Sequence, residues 1–195
     1  VEEAMKSRVL VITGGPGTGK TTLVRAIITA AEQHDLKVHL MAPTGRAAKR
    51  LALASHMDAD TIHKALEAEK REDGGTVFSR DESDPLEEDL IIVDEASMMD
   101  ISLFYHLLSA LKEDARLILV GDVDQLPPVG PGTPLKSIIA WEKVPVTRLK
   151  HIFRQKEGSG IIENAALIRE GNMCVPDEGG EFRSEERRVG KECRS

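Results

Sequence analysis

Apolar residues along the chain fall into runs of two kinds. Short continuous runs at 8–13 (RVLVIT), 37–42, 89–93 and 116–120 stop at glycines or charged residues and read as buried strands. A fifth strand is expected at 144–149. Between them lie segments with a helical period. Residues 20–33 carry apolar side chains at Leu23, Ala26, Ile27, Ala30 and Ala31. Segments 45–55, 60–68, 101–111, 134–141 and 160–170 also read as helices. Asp60 or Thr61 would cap the start of the 60–68 helix, and Gly171 suits the position just past the end of the last one. Strands alternating with helices predict an α/β fold, a parallel sheet with helices on both faces. Residues 69–88 break the alternation. They are polar and acidic, with Thr76-Val77-Phe78 beside Gly74-Gly75, and read as a flexible loop or a short hairpin turning at the glycines.

Composition narrows this picture. A chain of 195 residues is long enough for one domain with a sizeable core, and 41% hydrophobic with 30% charged residues is the balance of a soluble globular protein. No apolar run approaches the roughly 18 residues that cross a membrane, and Val1-Glu2-Glu3 does not open a signal peptide. Cys174 and Cys193 give no disulfide framework, and the six histidines show no ligand pairing, so a reduced, cytoplasmic setting is expected. The net charge of −7 excludes a generally basic surface, so any nucleic-acid site must be a local groove. Aromatics at 3% argue against a base-stacking platform.

The last stretch, 183–195 (RSEERRVGKECRS), has neither period nor turn logic. The codons AGA TCG GAA GAG CGT CGT, a sequencing-adapter sequence, spell Arg183 to Arg188, so this tail reads as non-native. With no initiator methionine at the start, the expectation is a piece of a longer protein. One domain would span 1–175, and 176–182 would begin the next segment.

Three motifs carry chemistry. GGPGTGKTT, Gly14 to Thr22, fits the phosphate-loop pattern G-x-x-x-x-G-K-[ST] between a strand and a helix. Its glycines let backbone N–H groups converge on phosphate oxygens, and the helix turns its positive end toward the anion. Gly15, Pro16, Gly17, Thr18, Gly19, Lys20, Thr21 and Thr22 form the candidate nucleotide cradle. Lys20 would reach the β and γ phosphates, and the Thr21 hydroxyl would ligate Mg²⁺. In DLIIVDEAS, Asp94 and Glu95 end a buried strand, at the edge where open α/β sheets bind ligands. Asp94 would hold Mg²⁺ and Glu95 would orient or deprotonate the attacking water. Alone, the pair also reads as acids favoured at a helix start. No N-K-x-D stretch appears, which argues against a guanine-specific switch. In VGDVDQLPPVGPG, prolines and glycines after the fourth strand exclude both helix and central strand. Gln125 would then lie on the same rim as Lys20 and Asp94, within reach of the γ-phosphate or the attacking water.

GGPGTGKTT, APTGRAAKRL, TIHKAL, IIVDEASMMD, GDVDQLPPVGPGTPL and IFRQ, in that order, resemble the motifs of superfamily 1 helicases, with RecD-like ATP-dependent DNA helicases the best match. The resemblance covers about residues 9–175. It implies a RecA-like P-loop NTPase fold using ATP and Mg²⁺. It implies that Gln125 senses the γ-phosphate and links the ATP state to grip on DNA. Arg154, in IFRQ, would stabilise charge on the γ-phosphate; without the resemblance it reads as one end of a surface salt bridge. Single-stranded DNA would be touched by Pro43, Thr44, Gly45, Arg46, Thr61 and His63. From the residues alone, Arg46, Lys49 and Arg50 read as a solvated helix face. Some relatives carry a strand-separating hairpin where 69–88 falls, though its acidity disfavours a tight DNA contact. Implied partners are single-stranded DNA, a second RecA-like domain of the parent chain, and a repair or recombination complex. Residues 1–182 alone are expected to bind nucleotide weakly, hydrolyse it poorly and unwind nothing. Two other readings compete. One is a non-helicase P-loop ATPase, a switch or transport motor not stimulated by nucleic acid. The other is a non-catalytic nucleotide fold.

Overall fold

The computed structural model describes residues 1–71, 74–151, 167–168 and 171. One compact unit spans Val1–Ile152. In chain order its elements are α1 (Glu2–Lys6), β1 (Val9–Gly14), α2 (Lys20–Glu32), β2 (Val38–Ala42), α3 (Gly45–Ser55), β3 (Ala59–Thr61), α4 (Ile62–Ala65), β4 (Ala68–Lys70) and β5 (Thr76–Phe78). Then follow β6 (Leu90–Val93), a 3₁₀ turn (Ala96–Met98), α5 (Ile101–Ser109), β7 (Arg116–Gly121), α6 (Pro134–Trp141) and β8 (Val146–Leu149). Arg154 and IFRQ, and the tail at 183–195, lie outside the described residues. Of the 160–170 helix, Leu167 and Ile168 are helical, and Gly171, at φ 78°, donates its N–H to the Ile168 carbonyl.

Six strands form one parallel sheet in the order β3-β2-β6-β7-β1-β8. Each central strand is apolar on both faces. Leu10, Ile12, Leu40, Leu90, Ile92, Ile118 and Val120 point to one side, where they meet Val24, Ile27, Ile28 and Leu51. Val11, Met41, Ile91, Val93, Leu117 and Leu119 point to the other, against Ile62, Leu66, Leu107 and Leu135. This is the signature of a sheet sandwiched between helices. Each of these side chains, fully buried, stabilises the fold by about 1.5–3 kcal/mol relative to exposure.

Three details differ from the sequence reading. The buried stripe of α2 is Val24, Ile27, Ile28 and Ala31, with Ala26 exposed and Leu23 half-buried at the rim. The helix is apolar over a broad arc, and the sheet takes its larger branched side chains. The expected 60–68 helix is a single turn. Ala59, Asp60 and Thr61 instead pair with Leu40, Met41 and Ala42 as a short edge strand, and Glu67, at φ 52°, turns the chain out of the helix. Thr61 is the N-cap, accepting from the Lys64 N–H at 3.1 Å.

The 69–88 segment contains the hairpin. Ala68, Glu69 and Lys70 pair antiparallel with Phe78, Val77 and Thr76. The turn closes through Gly74, at φ 85°, with the Arg71 N–H donating to the Gly75 carbonyl. The segment is tied down at both ends. Arg80 pairs with Glu67 at 2.8 Å and Asp84 at 3.2 Å, and Leu86 is buried in the core.

Candidate nucleotide site and strand groove

In a parallel sheet all C-terminal strand ends share one edge. The C-terminal ends of β1, β2, β3, β6 and β7 therefore lie together, and these ends, with the loops and helix starts that follow them, carry every sequence-selected site residue that is described. β7 lies between β1 and β6, so the phosphate loop and the acidic pair flank the strand that leads to Gln125.

The loop after β1 is built on close approach. A Cβ on Gly14 would lie 2.7 Å from the Thr18 hydroxyl and 2.8 Å from the Leu149 carbonyl, so only glycine lets β8 and the loop meet there. Gly17 (φ 78°) and Gly19 (φ 86°) take left-handed backbone, and Gly19 is the N-cap of α2. Thr18 is buried, donating to the Gly15 carbonyl at 2.8 Å. The Lys20 ammonium bends back over the loop to the carbonyls of Gly14 (2.6 Å) and Gly15 (3.0 Å). Gly15 is buried, Pro16 is exposed, and Thr21 and Thr22 stand exposed on the first turn of α2. A cation and a helix N-terminus thus converge on one concave turn, which suits a phosphate.

The acids follow β6. Burial holds the Asp94 carboxyl above the ordinary carboxylate range, and the Glu95 charge adds to this; the Glu95 N–H, Arg50 and Lys20 pull the other way. Glu95 has left-handed backbone, φ 53° and ψ 35°, a conformation that costs a non-glycine residue on the order of 1–3 kcal/mol. Its side chain is 14% exposed. Arg50 Nη2 on α3 donates to Oε1, while Oε2 is buried without a hydrogen-bond partner. Sequence reasoning left Arg50 on a solvated face. No local signal could have found it, because its partner lies 45 residues away in the chain.

The Gln125 loop is braced. The buried Asp122 accepts from the Asp124 N–H at 3.0 Å, and its carbonyl accepts from the Gln125 N–H at 3.2 Å. Gln125 itself is exposed. Beside it runs a groove of about 880 Å³, lined among others by Pro43, Thr44, His63, Phe78, His106, Gln125 and Pro128. Pro43, Thr44 and His63, selected as DNA contacts, therefore share a groove with Gln125. Gly45 and Arg46 are exposed at the start of α3 nearby, and Thr61 is half-buried; none of the three lines the groove. Thr44 and Thr61 also cap helices, accepting from Ala47 at 3.3 Å and Lys64 at 3.1 Å. Sequence reasoning missed the rings of the groove wall. Phe78 stands 5.8 Å from the His63 ring and 4.4 Å from that of His106.

A parallel sheet with this loop, these acids and this rim defines a P-loop nucleotide-binding fold of the RecA-like type. The model of the AAA domain family matches residues 1–131. The ATP-dependent RecD2 DNA helicase of Deinococcus radiodurans is 42% identical over 164 residues, 84% of this chain and 22% of that protein. The RecBCD enzyme subunit RecD of Mycobacterium tuberculosis is 35% identical over 215 residues, 96% of this chain and 36% of its own. Among solved structures, the Pif1 helicase from Candida albicans superposes with a TM-score of 0.67 at 27% identity, over 90% of this chain and 43% of that one. The chain belongs to the AAA domain family and is similar in sequence to the RecD-like helicases. It spans about a fifth to a third of the length of the curated relatives named here.

Proposed function

We propose that this domain is the ATP-hydrolysing motor of a helicase in which single-stranded DNA lies in the groove beside Gln125 and stimulates hydrolysis. One observation carries the reading: Gln125 lines the groove that holds Pro43, Thr44 and His63, and its loop leaves β7, the strand flanked by the phosphate-loop and acidic-pair strands. A glutamine so placed has the nucleotide on one side and the strand on the other. Kinship with RecD2 and RecD favours DNA as the strand.

Each residue then has a defined task. Lys20 and the backbone N–H groups of Gly15 and of Gly17 to Thr22 bind the phosphates. Glu95 takes a proton from the attacking water or aligns it, and Gln125 hydrogen-bonds that water or the γ-phosphate. The residues fit Mg²⁺: the half-buried Asp94 carboxylate gains from a cation, and the Thr21 hydroxyl stands exposed at the head of α2. Among the described residues no cluster of three or more His, Cys, Asp or Glu forms an all-protein metal site, so Thr21 and Asp94 would share the ion with phosphate oxygens. Mg²⁺ supplies charge neutralisation for the departing phosphate. Arg154, in IFRQ, is proposed to add positive charge at the γ-phosphate. No described helix is long and apolar enough to cross a membrane; the proposed setting is the cytoplasm, with a second RecA-like domain and repair or recombination proteins as partners. Residues 1–182 alone are proposed to hydrolyse ATP slowly and unwind nothing.

The test is the ATPase rate of the intact protein carrying this domain, with and without single-stranded DNA, beside Gln125→Ala. Stimulation of the wild type, lost in the variant while nucleotide still binds, is expected. A wild-type rate that DNA leaves unchanged would move the non-helicase ATPase reading ahead.

A further inference from the structure

We propose that Arg50 is a positioning residue that withholds Glu95 from the attacking water until a phosphate on the strand side draws its guanidinium away. The inference rests on the proposed role of Glu95 and on the groove as the strand's site.

Four observations carry it. First, Arg50 donates to Glu95 Oε1, one of the two oxygens with which that carboxylate would accept a proton. An oxygen engaged by a guanidinium is a poorer acceptor and is held in a fixed direction. Second, Glu95 Oε2 is buried with no partner, and the backbone is left-handed. Such a group sits in an arrangement that is unfavourable on its own and has something to gain from a second position. Third, the Arg50 side chain is 68% exposed. With one arm solvated, the pair is open to competition from another anion.

Fourth, α3 joins the two places. Its N-cap, Thr44, lines the groove, and Arg50 lies six residues along the same helix, about 9 Å at 1.5 Å per residue. Arg46, one turn before Arg50, is exposed on the same side. A strand whose phosphates engage this end of α3 thus offers Arg50 an anion while it binds. Nothing in the sequence marks Arg50 out from Lys49. Lys49 is exposed too, yet among the described residues it makes no ion pair with the acidic turn.

The experiment measures ATP hydrolysis by the intact protein for wild type, Arg50→Ala and Arg50→Lys, with and without single-stranded DNA, over a range of ATP. Removing the restraint should raise the DNA-free kcat of Arg50→Ala on the order of tenfold, a small part of what a general base contributes. KM for ATP and the DNA-saturated kcat should stay near wild type, so the stimulation ratio collapses. Arg50→Lys should restore part of the ratio, which a merely structural role would not require. An unchanged DNA-free kcat in Arg50→Ala, or a fall in both rates, overturns the proposal. If Arg50→Ala melts early, Arg50→Lys and Arg50→Gln give the same comparison. The two readings fail separately: a wild type indifferent to DNA removes the strand as stimulator, while the DNA-free rate of Arg50→Ala still decides whether Glu95 is restrained.

Discussion

Gly130 lies directly against Asp100: a Cβ built on Gly130 would fall 1.9 Å from Asp100 Oδ2 and 2.9 Å from its Cβ. Asp100 is the N-cap of α5, accepting from the Leu103 N–H at 2.8 Å. The loop that carries Gln125 is therefore seated on the start of the helix that walls the groove. Gly130→Ala should displace Asp100, weaken the cap and lower stability by about 1 kcal/mol or more. A thermal melt checks this. In the intact protein the same change should reduce stimulation by DNA more than it reduces affinity for nucleotide, because the displaced wall belongs to the groove.

Among the described residues, Lys20 hydrogen-bonds to the loop carbonyls of Gly14 and Gly15. Lys20→Ala should thus leave the melting temperature nearly unchanged. Nucleotide affinity should fall by roughly 10- to 150-fold, the equivalent of one charge-assisted hydrogen bond of about 1.5–3 kcal/mol. Titration with a fluorescent nucleotide distinguishes this from a loss of fold.

Asp94 gives a prediction in pH. Its carboxyl titrates above the ordinary range because it is buried. The charged form is thus disfavoured in the folded protein, and the penalty is complete once pH exceeds the raised value. Asp94→Asn removes it. In metal-free buffer at neutral pH the variant should be more stable than wild type. The gain should shrink as pH falls through the raised value and vanish below the ordinary carboxylate range. Denaturant melts at several pH values measure it; a variant less stable than wild type at neutral pH would contradict the assignment. Hydrolysis should be lost at every pH.

Ile92 is fully buried at the middle of the sheet. Ile92→Ala should cost about 2–5 kcal/mol, seen as a lower denaturant midpoint. That is a large fraction of the total stability of a domain this size.

The central strands were legible because each is apolar on both faces, and a continuous run such as Leu90-Ile91-Ile92-Val93 has few other readings. Helix limits at Gly45–Ser55 and Pro134–Trp141 were equally plain, since Thr44 caps one and Pro134 sits in the first turn of the other. The 60–68 helix was misjudged because Ala59-Asp60-Thr61 is too short to show a strand period; only its pairing with β2 makes it one. The phosphate loop and acidic pair could be found because backbone chemistry fixes their spacing. The Arg50–Glu95 pair could not, because a contact across 45 residues leaves no local trace. Nor could the groove's rings, since His63, Phe78 and His106 come from three separate elements.

The strand order has a consequence for synthesis. β1 carries the phosphate loop, yet its two partners, β7 and β8, both come later in the chain. A ribosome that has made residues 1–115 has produced Lys20, Asp94 and Glu95 but no strand to join them. Their convergence awaits β7, which begins only at Arg116. Nucleotide capture by a nascent chain would therefore report completion of the sheet, and a chain stalled before β7 would hold the motifs without the site.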